Sequence, residues 1–260
     1  MELVVTRNFG NAESWTLESY RNAGGYQSLQ RVLRDMTPEE VSDLIKASGL
    51  SGRGGAFFPT GLKWEFVRKD PKTPRYVVVN GDESEPGTYV NRHSLELDPH
   101  LMLEGMIIAA FACNAERGYV YIRGEYGLAH ERTQTAIQDA YDAGYLGSDI
   151  MGKSGFNFDV VFRRGAGAYI VGEETALFNS LEGKRGNPRF KPPFPTNVGV
   201  WGLPTAINNV ETLSAAPAII ENGADWFQGL GRGDTAGTKM YCLSGHVAKP
   251  GVHELPMGIT

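Results

Sequence analysis

The most constraining feature of the sequence is a short, almost continuous apolar run at residues 75–80, RYVVVN. A strand that is apolar on both faces is typical of a parallel sheet covered by helices. Further strands are predicted at 119–123 and 156–163, with helical signals between them. Strands that alternate with helices over short connections predict an α/β fold with a doubly wound sheet.

Capping signals bound several of the predicted helices. The sequence TPEE at 37–40 is a capping box with proline at the first helical position. Asp98 begins a helix that runs to about residue 113, and Asn208 or Asn209 caps one that ends near residue 222. Other helices are predicted at 26–34, 62–69, 128–143 and 173–182.

The pattern changes after residue 236. Residues 239–255 contain two strand-like stretches around the turn AKPG and predict a β-hairpin. Because a lone hairpin is only marginally stable in water, we expect this one to begin a β-rich domain.

Charge and cysteine content exclude several classes of function. Lys and Arg number 25 against 30 Asp and Glu, so a net charge of -5 gives no electrostatic case for binding nucleic acid. Cys113 and Cys242 cannot supply the four thiolates of an iron–sulfur cluster or a structural zinc site. No apolar run reaches the ~20 residues of a membrane span, and no secretory signal is recognised, so a reducing cytoplasm without membrane insertion is expected.

The densest group of the 33 glycines lies in the segment SGRGGAFFPTG at 51–61. Glycines around Arg53 let backbone amides face an anion directly, and Phe57 and Phe58 beside them can stack on a planar base. A flexible linker is the alternative, but linkers seldom carry adjacent phenylalanines. We therefore interpret the segment as a ligand-binding loop.

Acidic residues follow the first predicted strand in the sequence NGDESEPG at 80–87, where parallel sheets bind ligands. Their carboxylates can accept hydrogen bonds from ribose or ribityl hydroxyls and would repel a 2′-phosphate, which favours NAD over NADP. A Mg²⁺ site and a solvated acidic turn are the alternatives. Glu173 and Glu174 open a later predicted helix, where they either contact a cofactor or simply cap the helix.

The remaining motifs indicate little chemistry carried by side chains. Residues 147–154 fit the GxxxxGK[ST] pattern of a phosphate-binding loop, but a helix precedes them and a strand follows, the inverse of the required order. We interpret them as a surface turn. The five histidines have no metal-ligand spacing, and no Ser-His-Asp pattern stands out. A bound cofactor is therefore expected to carry any chemistry.

Four segments together resemble a known family: GRGGAFFPTGLKW at 52–64, NGDESEPGTY at 80–89, RGAGAYIVGEETAL at 164–177 and INNVET at 207–212. They are similar to motifs of the flavoprotein subunit of NADH:quinone oxidoreductase, the FMN- and NADH-binding subunit of respiratory complex I. Diaphorase subunits of NAD-reducing hydrogenases and formate dehydrogenases share these motifs. The similarity runs from about residue 8 to the last residue of the sequence.

The resemblance implies a Rossmann-like parallel sheet with helices on both faces, FMN at its mouth and NADH stacked over the flavin. Carried over motif by motif, the FMN contacts are Gly52, Gly54, Lys63, Asn80, Asp82, Glu83, Tyr169, Gly172, Glu173, Asn208, Asn209 and Thr212. The NADH contacts are Arg53, Gly55, Phe58, Phe66, Glu85, Glu174, Lys191 and Phe194. No side chain is expected to carry the hydride, and Glu85 and Glu173 are predicted to support its transfer.

The resemblance also implies a division of the chain. It places a helical segment with the glycine-rich loop at 1–72, a Rossmann-like FMN domain at 73–236 and the start of a β-grasp domain at 237–260. A domain that binds a [4Fe–4S] cluster normally follows, and its cysteines are not among these residues, so the chain is predicted to be a fragment or a truncated product.

The implied partners are NADH, a small [2Fe–2S] subunit and a large iron–sulfur subunit. The implied location is peripheral, on the cytoplasmic face of a bacterial inner membrane or the mitochondrial matrix side.

Two residues depart from the family pattern. Phe57 stands where the family usually has glycine, and its side chain is expected to crowd the nucleotide or restrict the φ of the loop. Val171 replaces a common cysteine, and this substitution is expected to be harmless.

The predicted function is hydride transfer from NADH to FMN, with electrons passed on to iron–sulfur clusters. The alternatives are a non-catalytic FMN-binding or assembly module and a hydrogenase or formate dehydrogenase diaphorase subunit.

Overall fold

A parallel sheet of four strands lies at the centre of the protein, in a computed structural model that describes residues 2–153 and 155–259. The strands are β1 Tyr76–Gly81, β2 Arg117–Ile122, β3 Asp159–Arg164 and β4 Thr205–Asn209, and their order in the sheet is β3-β2-β1-β4. β1 pairs with both β2 and β4, so it is an interior strand. Its three consecutive buried valines suit that position, since both of its faces are covered.

Helices precede, follow and connect the strands. They are α1 Leu17–Asn22, α2 Gln27–Asp35, α3 Pro38–Ala47, α4 Thr60–Lys69, α5 Val90–Leu97, α6 Pro99–Cys113, α7 Gly127–Asp142, α8 Glu174–Leu181, α9 Val210–Asn222 and α10 Ala224–Leu230. Thr37 and Glu40 form the predicted capping box of α3. Asp98 caps α6 by accepting a hydrogen bond from the amide of Leu101, and Asn114 ends that helix in a left-handed conformation with φ 52°.

Both faces of the sheet carry helices, which confirms the predicted fold class. On one face α6 and α9 pack against each other and against β1, and α6 is buried along its whole length. On the other face α8 covers a smaller apolar cluster that includes Val78, Leu177 and Phe178. Each large apolar side chain buried in these layers contributes ~1.5–3 kcal/mol. No helix in the described residues combines the length and apolar character needed to cross a bilayer.

The structure differs from the sequence-based prediction in several elements. The strand β4 is not predicted, because its sequence TAINN is short and runs directly into the cap of α9. Its hydrogen bonds to β1 decide its conformation. The short helices α1, α5 and α10 are also not predicted. The strand predicted at 156–163 begins only at Asp159, because Phe158 pairs with Gly147 in an isolated bridge outside the sheet.

The predicted hairpin is present as β5 Thr238–Leu243 and β6 Gly251–Pro256, which pair antiparallel. Glu254 of β6 attaches it to the N-terminal segment, because its carboxylate accepts hydrogen bonds from the backbone amides of Val4, Val5 and Thr6. These contacts give the hairpin the packing that an isolated ribbon lacks. That it begins a β-grasp domain stays a prediction, as do the domain boundaries after residues 72 and 236.

Candidate functional site

A cleft follows the carboxyl ends of β1 and β4, the edge where open α/β sheets bind ligands. It has three chambers with volumes of about 350, 630 and 640 Å³, which we call the central, acidic and phenylalanine chambers. The central chamber is lined by every predicted FMN contact except Glu83 and Tyr169. Those two residues line the acidic chamber with Asp82, Glu85, Glu173 and residues 239–242, and Phe58, Phe66 and Phe194 line the phenylalanine chamber.

Glycines form part of the floor of the central chamber. A Cβ atom on Gly54 would lie 3.4 Å from Cβ of Asn209, and one on Gly172 would lie 3.3 Å from the carbonyl oxygen of Asp82. The base of the loop is closed by a hydrogen bond of 2.9 Å from the amide of Gly52 to the carbonyl oxygen of Phe58. The lack of side chains therefore lets these two segments pack closely against Asn209 and Asp82 while they line the chamber.

Polar side chains at the end of β1 hold one another in place. The side-chain amide of Asn80 donates to the carbonyl oxygen of Gly172 at 2.9 Å, and its Oδ1 accepts from the amide of Asp82 at 3.1 Å. The hydroxyl of Ser84 donates to Asp82 at 2.6 Å, while burial raises the pKa of the Asp82 carboxyl group. A carboxylate that is fixed and partly buried is well suited to accept hydrogen bonds from ligand hydroxyls.

Glu173 combines a structural role with a place in the cleft. Its Oε2 caps α8 by accepting from the amides of Thr175 and Ala176, both at 2.9 Å. Its Oε1 lies 3.2 Å from Nζ of Lys191, which also pairs with Glu174. Burial raises the pKa of Glu173, but the hydrogen bonds from Thr175, Ala176 and Lys191 outweigh burial, and the net pKa is lowered. The carboxylate is therefore ionised and held rigidly at neutral pH.

Lys63 supplies a cation to the central and phenylalanine chambers. Its Nζ donates to the carbonyl oxygen of Ile207 at 2.7 Å. Burial lowers the pKa of this ammonium, and the nearby charge of Glu174 opposes that effect. Because an ammonium has three N–H donors, Lys63 can bind Ile207 and a ligand together.

Exposed phenylalanines gather around a single chamber. Phe58, Phe66 and Phe194 are 40%, 44% and 56% exposed, and the ring centroids of Phe58 and Phe66 are 6.5 Å apart. A group of exposed aromatic side chains marks a binding surface. Ala56, Phe58, Lys63, Glu174, Lys191 and Ile207 line both this chamber and the central one, so the two chambers are continuous.

The departures from the family pattern have different surroundings. Phe57 has φ 50°, in the left-handed region that glycine adopts without strain, and it lines the central chamber. For a residue with a side chain this conformation costs ~1–2 kcal/mol. Val171 is buried in the apolar cluster beneath α8. Of the two departures, Phe57 therefore has a strained backbone and lies in the ligand loop, whereas Val171 does not have a left-handed φ.

Three of the predicted NADH contacts lie away from the phenylalanine chamber, namely Arg53, Gly55 and Glu85, and Glu85 lines the acidic chamber. The guanidinium of Arg53 donates to the carbonyl oxygens of Ser51 and Ala236, and Arg53 lines the acidic chamber. Gly55, with φ 115°, is not among the lining residues of the three chambers in the described part of the chain. The loop therefore turns Arg53 toward the hairpin.

Glu83 is engaged by the protein itself. Its carboxylate accepts from the amides of Asn91 and Arg92 at 3.0 and 3.1 Å, and from the hydroxyl of Tyr126 at 3.1 Å. It therefore caps the start of α5, a helix that the sequence pattern does not predict. Its carbonyl oxygen is also taken, because it accepts from Arg123 at 2.8 Å.

The hairpin contributes a wall of the cleft that sequence reasoning misses. Lys239, Tyr241 and Cys242 of β5 line the acidic chamber together with Tyr169 and Glu85, whose side chains are hydrogen-bonded to each other. The sequence predicts the hairpin but carries no signal for what it packs against. The contact depends on tertiary structure alone.

The segment that fits a phosphate-binding loop is a turn between α7 and β3. The amide of Asp149 donates to Oδ1 of Asn157 at 2.8 Å, and Oδ1 of Asp149 accepts from the amide of Gly155 at 2.8 Å. Ser154, the last residue of the motif, lies outside the described residues. The order of helix, turn and strand is the inverse of a phosphate-binding loop, which supports its interpretation as a surface turn.

The fold and the cleft together define an α/β protein with adjoining polar and aromatic chambers, a lining that suits ligands of the nucleotide type. A family model described as the Nuo51 FMN-binding domain matches residues 45–218, and the chain belongs to this family.

Relatives and a solved structure agree with that assignment. The chain is 52% identical over 259 residues to an F-type subunit of NADH-quinone oxidoreductase in Rhizobium meliloti (strain 1021), covering 100% of this chain and 61% of that protein. It is 51% identical over 245 residues to the F-type subunit of NADH-quinone oxidoreductase in Escherichia coli (strain K12), covering 94% of this chain and 55% of that protein. The chain thus spans a little over half the length of these relatives. The crystal structure of an NAD⁺-reducing [NiFe]-hydrogenase in the H₂-reduced state matches with a TM-score of 0.82 and 36% identity, covering 99% of this chain and 42% of that chain.

The residues of the central chamber fit FMN, the cofactor of this family. Gly54 and Gly172 line the chamber without a side chain, so a flat ring can approach their backbone. Asp82 offers a fixed acceptor for hydroxyl groups, and Lys63 offers a cation. This donor set matches a polar, planar and anionic cofactor.

Proposed function

We propose that this chain is the FMN-binding, NADH-oxidising module of an NADH:quinone oxidoreductase. The observation that carries the proposal is the continuity of the central and phenylalanine chambers, which share Lys63, Glu174 and Lys191. Two ligands in such chambers can be held with their rings in contact. The family assignment and the names of the relatives support the same function.

When bound, FMN supplies the redox chemistry by accepting the hydride that NADH gives up. The protein then needs no nucleophile, and its residues act by orienting two ligands at a fixed separation. Asn80 and Asp82, which are fixed at the end of β1, orient the flavin. Glu173 is held by the amides at the start of α8. Its carboxylate therefore keeps a fixed position in the wall of the cleft while charge moves between the two ligands.

The phenylalanine chamber selects the dinucleotide. Phe58, Phe66 and Phe194 present exposed rings against which an adenine can stack. Glu174 and Asp70 line this chamber, so a 2′-phosphate beside either carboxylate would meet negative charge. The site therefore favours NADH over NADPH.

The onward electron path and the assembly belong to the same proposal. In it, electrons pass to iron–sulfur clusters of the complex, including those of a small [2Fe–2S] subunit and a large iron–sulfur subunit. The module is then peripheral, on the cytoplasmic face of a bacterial inner membrane or on the matrix side of a mitochondrial one. The names of the relatives, which are subunits of NADH-quinone oxidoreductases, support this arrangement.

Reconstitution tests the proposal directly. The purified chain is titrated with FMN while flavin fluorescence is followed, and NADH is then added without oxygen while flavin absorbance is recorded. We expect FMN to bind, NADH to bleach the flavin, and ferricyanide to restore its colour with turnover. Bound flavin that NADH does not bleach contradicts the catalytic part, and failure to bind FMN contradicts the whole proposal.

A non-catalytic FMN-binding or assembly module is the second candidate, and Phe57 favours it. Its side chain lines the central chamber at a strained φ of 50°. In that case FMN binds but NADH fails to reduce it, and Phe57→Gly restores reduction. The structural match to an NAD⁺-reducing hydrogenase leaves a diaphorase subunit as a variant of the first proposal, which differs only in the host complex.

A further inference from the structure

A lysine of the hairpin reaches the glycine-rich loop. Nζ of Lys239 lies 3.5 Å from the carbonyl oxygen of Arg53 and 3.6 Å from Oε2 of Glu211. The side chain is 22% exposed and lines the acidic chamber together with Gly54 and Asn209. Because both contacts are long for hydrogen bonds, the ammonium keeps donors for a ligand.

The groups in contact with Lys239 and the glycine-rich loop carry more positive than negative charge, although Asp82, Glu83, Glu85 and Glu173 also line this chamber. The buried guanidinium of Arg53 donates to uncharged oxygens of Ser51 and Ala236. The neighbouring carboxylate is Glu211, whose Oε1 accepts from the amide of Met240 at 2.8 Å, while its Oε2 has no hydrogen bond within the described residues. Burial raises the pKa of Glu211 to about 7, which weakens its negative charge near neutral pH. One weakened carboxylate thus faces two cations, an arrangement that an anion would balance.

Backbone dipoles act in the same direction. The thirteen-residue helix α9 begins at Val210, with Asn209 as its cap. The amide of Arg53 donates to Oγ1 of Thr212 in the first turn at 2.8 Å, so the glycine-rich loop lies on the start of this helix. A helix start carries partial positive charge, which adds to that of the two side chains.

The place of Lys239 in the cleft indicates which ligand an anion bound there would belong to. The acidic and phenylalanine chambers share no lining residue in the described part of the chain, and each shares residues with the central chamber. An anion beside Lys239 is therefore separated from the adenine end of the dinucleotide by the flavin chamber. It fits the phosphate of FMN better than the pyrophosphate of NADH.

We propose that Lys239 binds the phosphate group of FMN and that Glu211 positions it, an inference that rests on the proposed function. Glu211 holds β5 in place through the amide of Met240, the neighbour of Lys239. Lys239 lies outside residues 45–218, the range matched by the FMN-binding family model. The hairpin thus completes the cofactor site from beyond the matched domain, and it gives the site a preference for FMN over riboflavin.

The test compares FMN with riboflavin, which lacks the phosphate, by fluorescence titration of the whole chain. For Lys239→Gln we expect FMN affinity to fall about tenfold to a hundredfold, as for a lost hydrogen bond to a charged group. Riboflavin affinity is expected to stay unchanged, and Lys239→Arg to retain most of the FMN affinity. Lys249→Gln, an exposed lysine of the same hairpin, is the matched control and should bind both flavins like the wild type.

Glu211 is tested by the same pair of flavins. Glu211→Ala removes the acceptor for Met240 and should weaken FMN more than riboflavin, whereas Glu211→Gln keeps an acceptor and should restore FMN affinity. Equal weakening of both flavins in the Lys239 and Glu211 variants would show a purely structural role and overturn the inference.

Other outcomes separate the remaining explanations. Unchanged FMN affinity in Lys239→Gln overturns the inference while the proposed function stands. Weaker NADH binding to Lys239→Gln with intact FMN affinity would assign the contact to the dinucleotide, and it also overturns the inference. If the wild-type chain binds neither flavin, both proposals fall.

Discussion

Nζ of Lys191 lies 3.2 Å from Oε1 of Glu173, the carboxylate that caps α8. The pair joins the loop before β4 to the start of the helix that covers one face of the sheet. Glu173 therefore serves the fold with one oxygen and the cleft with the other.

Glu173→Ala is expected to destabilise the chain by about 1–2 kcal/mol, because the amides of Thr175 and Ala176 lose their capping acceptor. Urea unfolding of the flavin-free chain measures this. Glu174→Ala is the matched control, since Glu174 pairs with Lys191 but does not cap the helix, and its loss should cost less than ~1 kcal/mol. Equal losses in the two variants would contradict the capping role.

Phe57→Gly is expected to stabilise the loop and improve NADH binding. The left-handed φ of 50° costs a phenylalanine ~1–2 kcal/mol, part of which glycine returns as greater entropy of the unfolded chain. We expect a net gain of up to ~1 kcal/mol in thermal or urea unfolding. Phe57→Ala keeps the strain and removes the ring, so a gain of equal size in that variant would attribute the effect to the ring.

Phe194→Ala is expected to raise the KM for NADH about five- to thirtyfold, the equivalent of ~1–2 kcal/mol of lost aromatic contact, while leaving FMN affinity unchanged. Phe190→Ala is the control, because Phe190 is 98% exposed and lies outside the residues that line the chamber. A similar KM for both variants would contradict the assignment of the phenylalanine chamber to the dinucleotide. Steady-state ferricyanide reduction is a suitable assay.

His100 should make the folded chain sensitive to acid. Burial lowers its pKa to about 4, aided by the charge of Arg21, from an ordinary value of 6.5. The unfolded chain takes up the proton first as the pH falls, so the contribution of His100 to stability is complete above about 6.5 and is lost between 6.5 and 4. The loss is on the order of 3 kcal/mol.

His100→Gln removes that titration. Whatever its overall stability, the variant should lose less stability than the wild type when the pH is lowered across this interval. Urea unfolding at a series of pH values shows the difference. His246→Gln, at an exposed histidine of the hairpin, is the matched control.

Asp98 has the opposite dependence on pH. Burial raises its pKa to about 7 from 3.8, against the hydrogen bonds from Asn8 and the amide of Leu101. The folded chain therefore holds this proton more tightly, so its contribution to stability is complete below about 3.8 and is lost as the pH rises toward 7. Asp98→Asn, which remains a good helix cap, should flatten this decline in urea unfolding. A decline as steep as that of the wild type would place the titration on another group.

Elements with local determinants are predictable from the sequence, and those with remote partners are not. The capping box of Thr37 and Glu40 and the cap at Asp98 lie within the helices they begin, and both are found where predicted. β4 is missed because its hydrogen bonds go to β1, more than a hundred residues earlier in the chain. The same holds for the contact between Lys239 and the glycine-rich loop.

The site shows the same division. Asn80 and Asp82 lie at the end of an apolar strand, so their place at the cleft is predictable from the sequence. The engagement of Glu83 by α5 could not be predicted without that helix, and the orientation of Arg53 depends on the distant carbonyl of Ala236. Motif residues are thus located by pattern, while the direction of each side chain is decided by folding. The FMN and NADH contacts of individual residues remain predictions.

The amide of Met240 is bound to Glu211, two positions beyond the asparagine that caps α9. A pull or a twist applied to the hairpin from outside therefore reaches the start of α9 through this carboxylate, beside the chamber proposed for the flavin. A change in the fluorescence intensity of bound flavin would then report that another protein has bound to the hairpin.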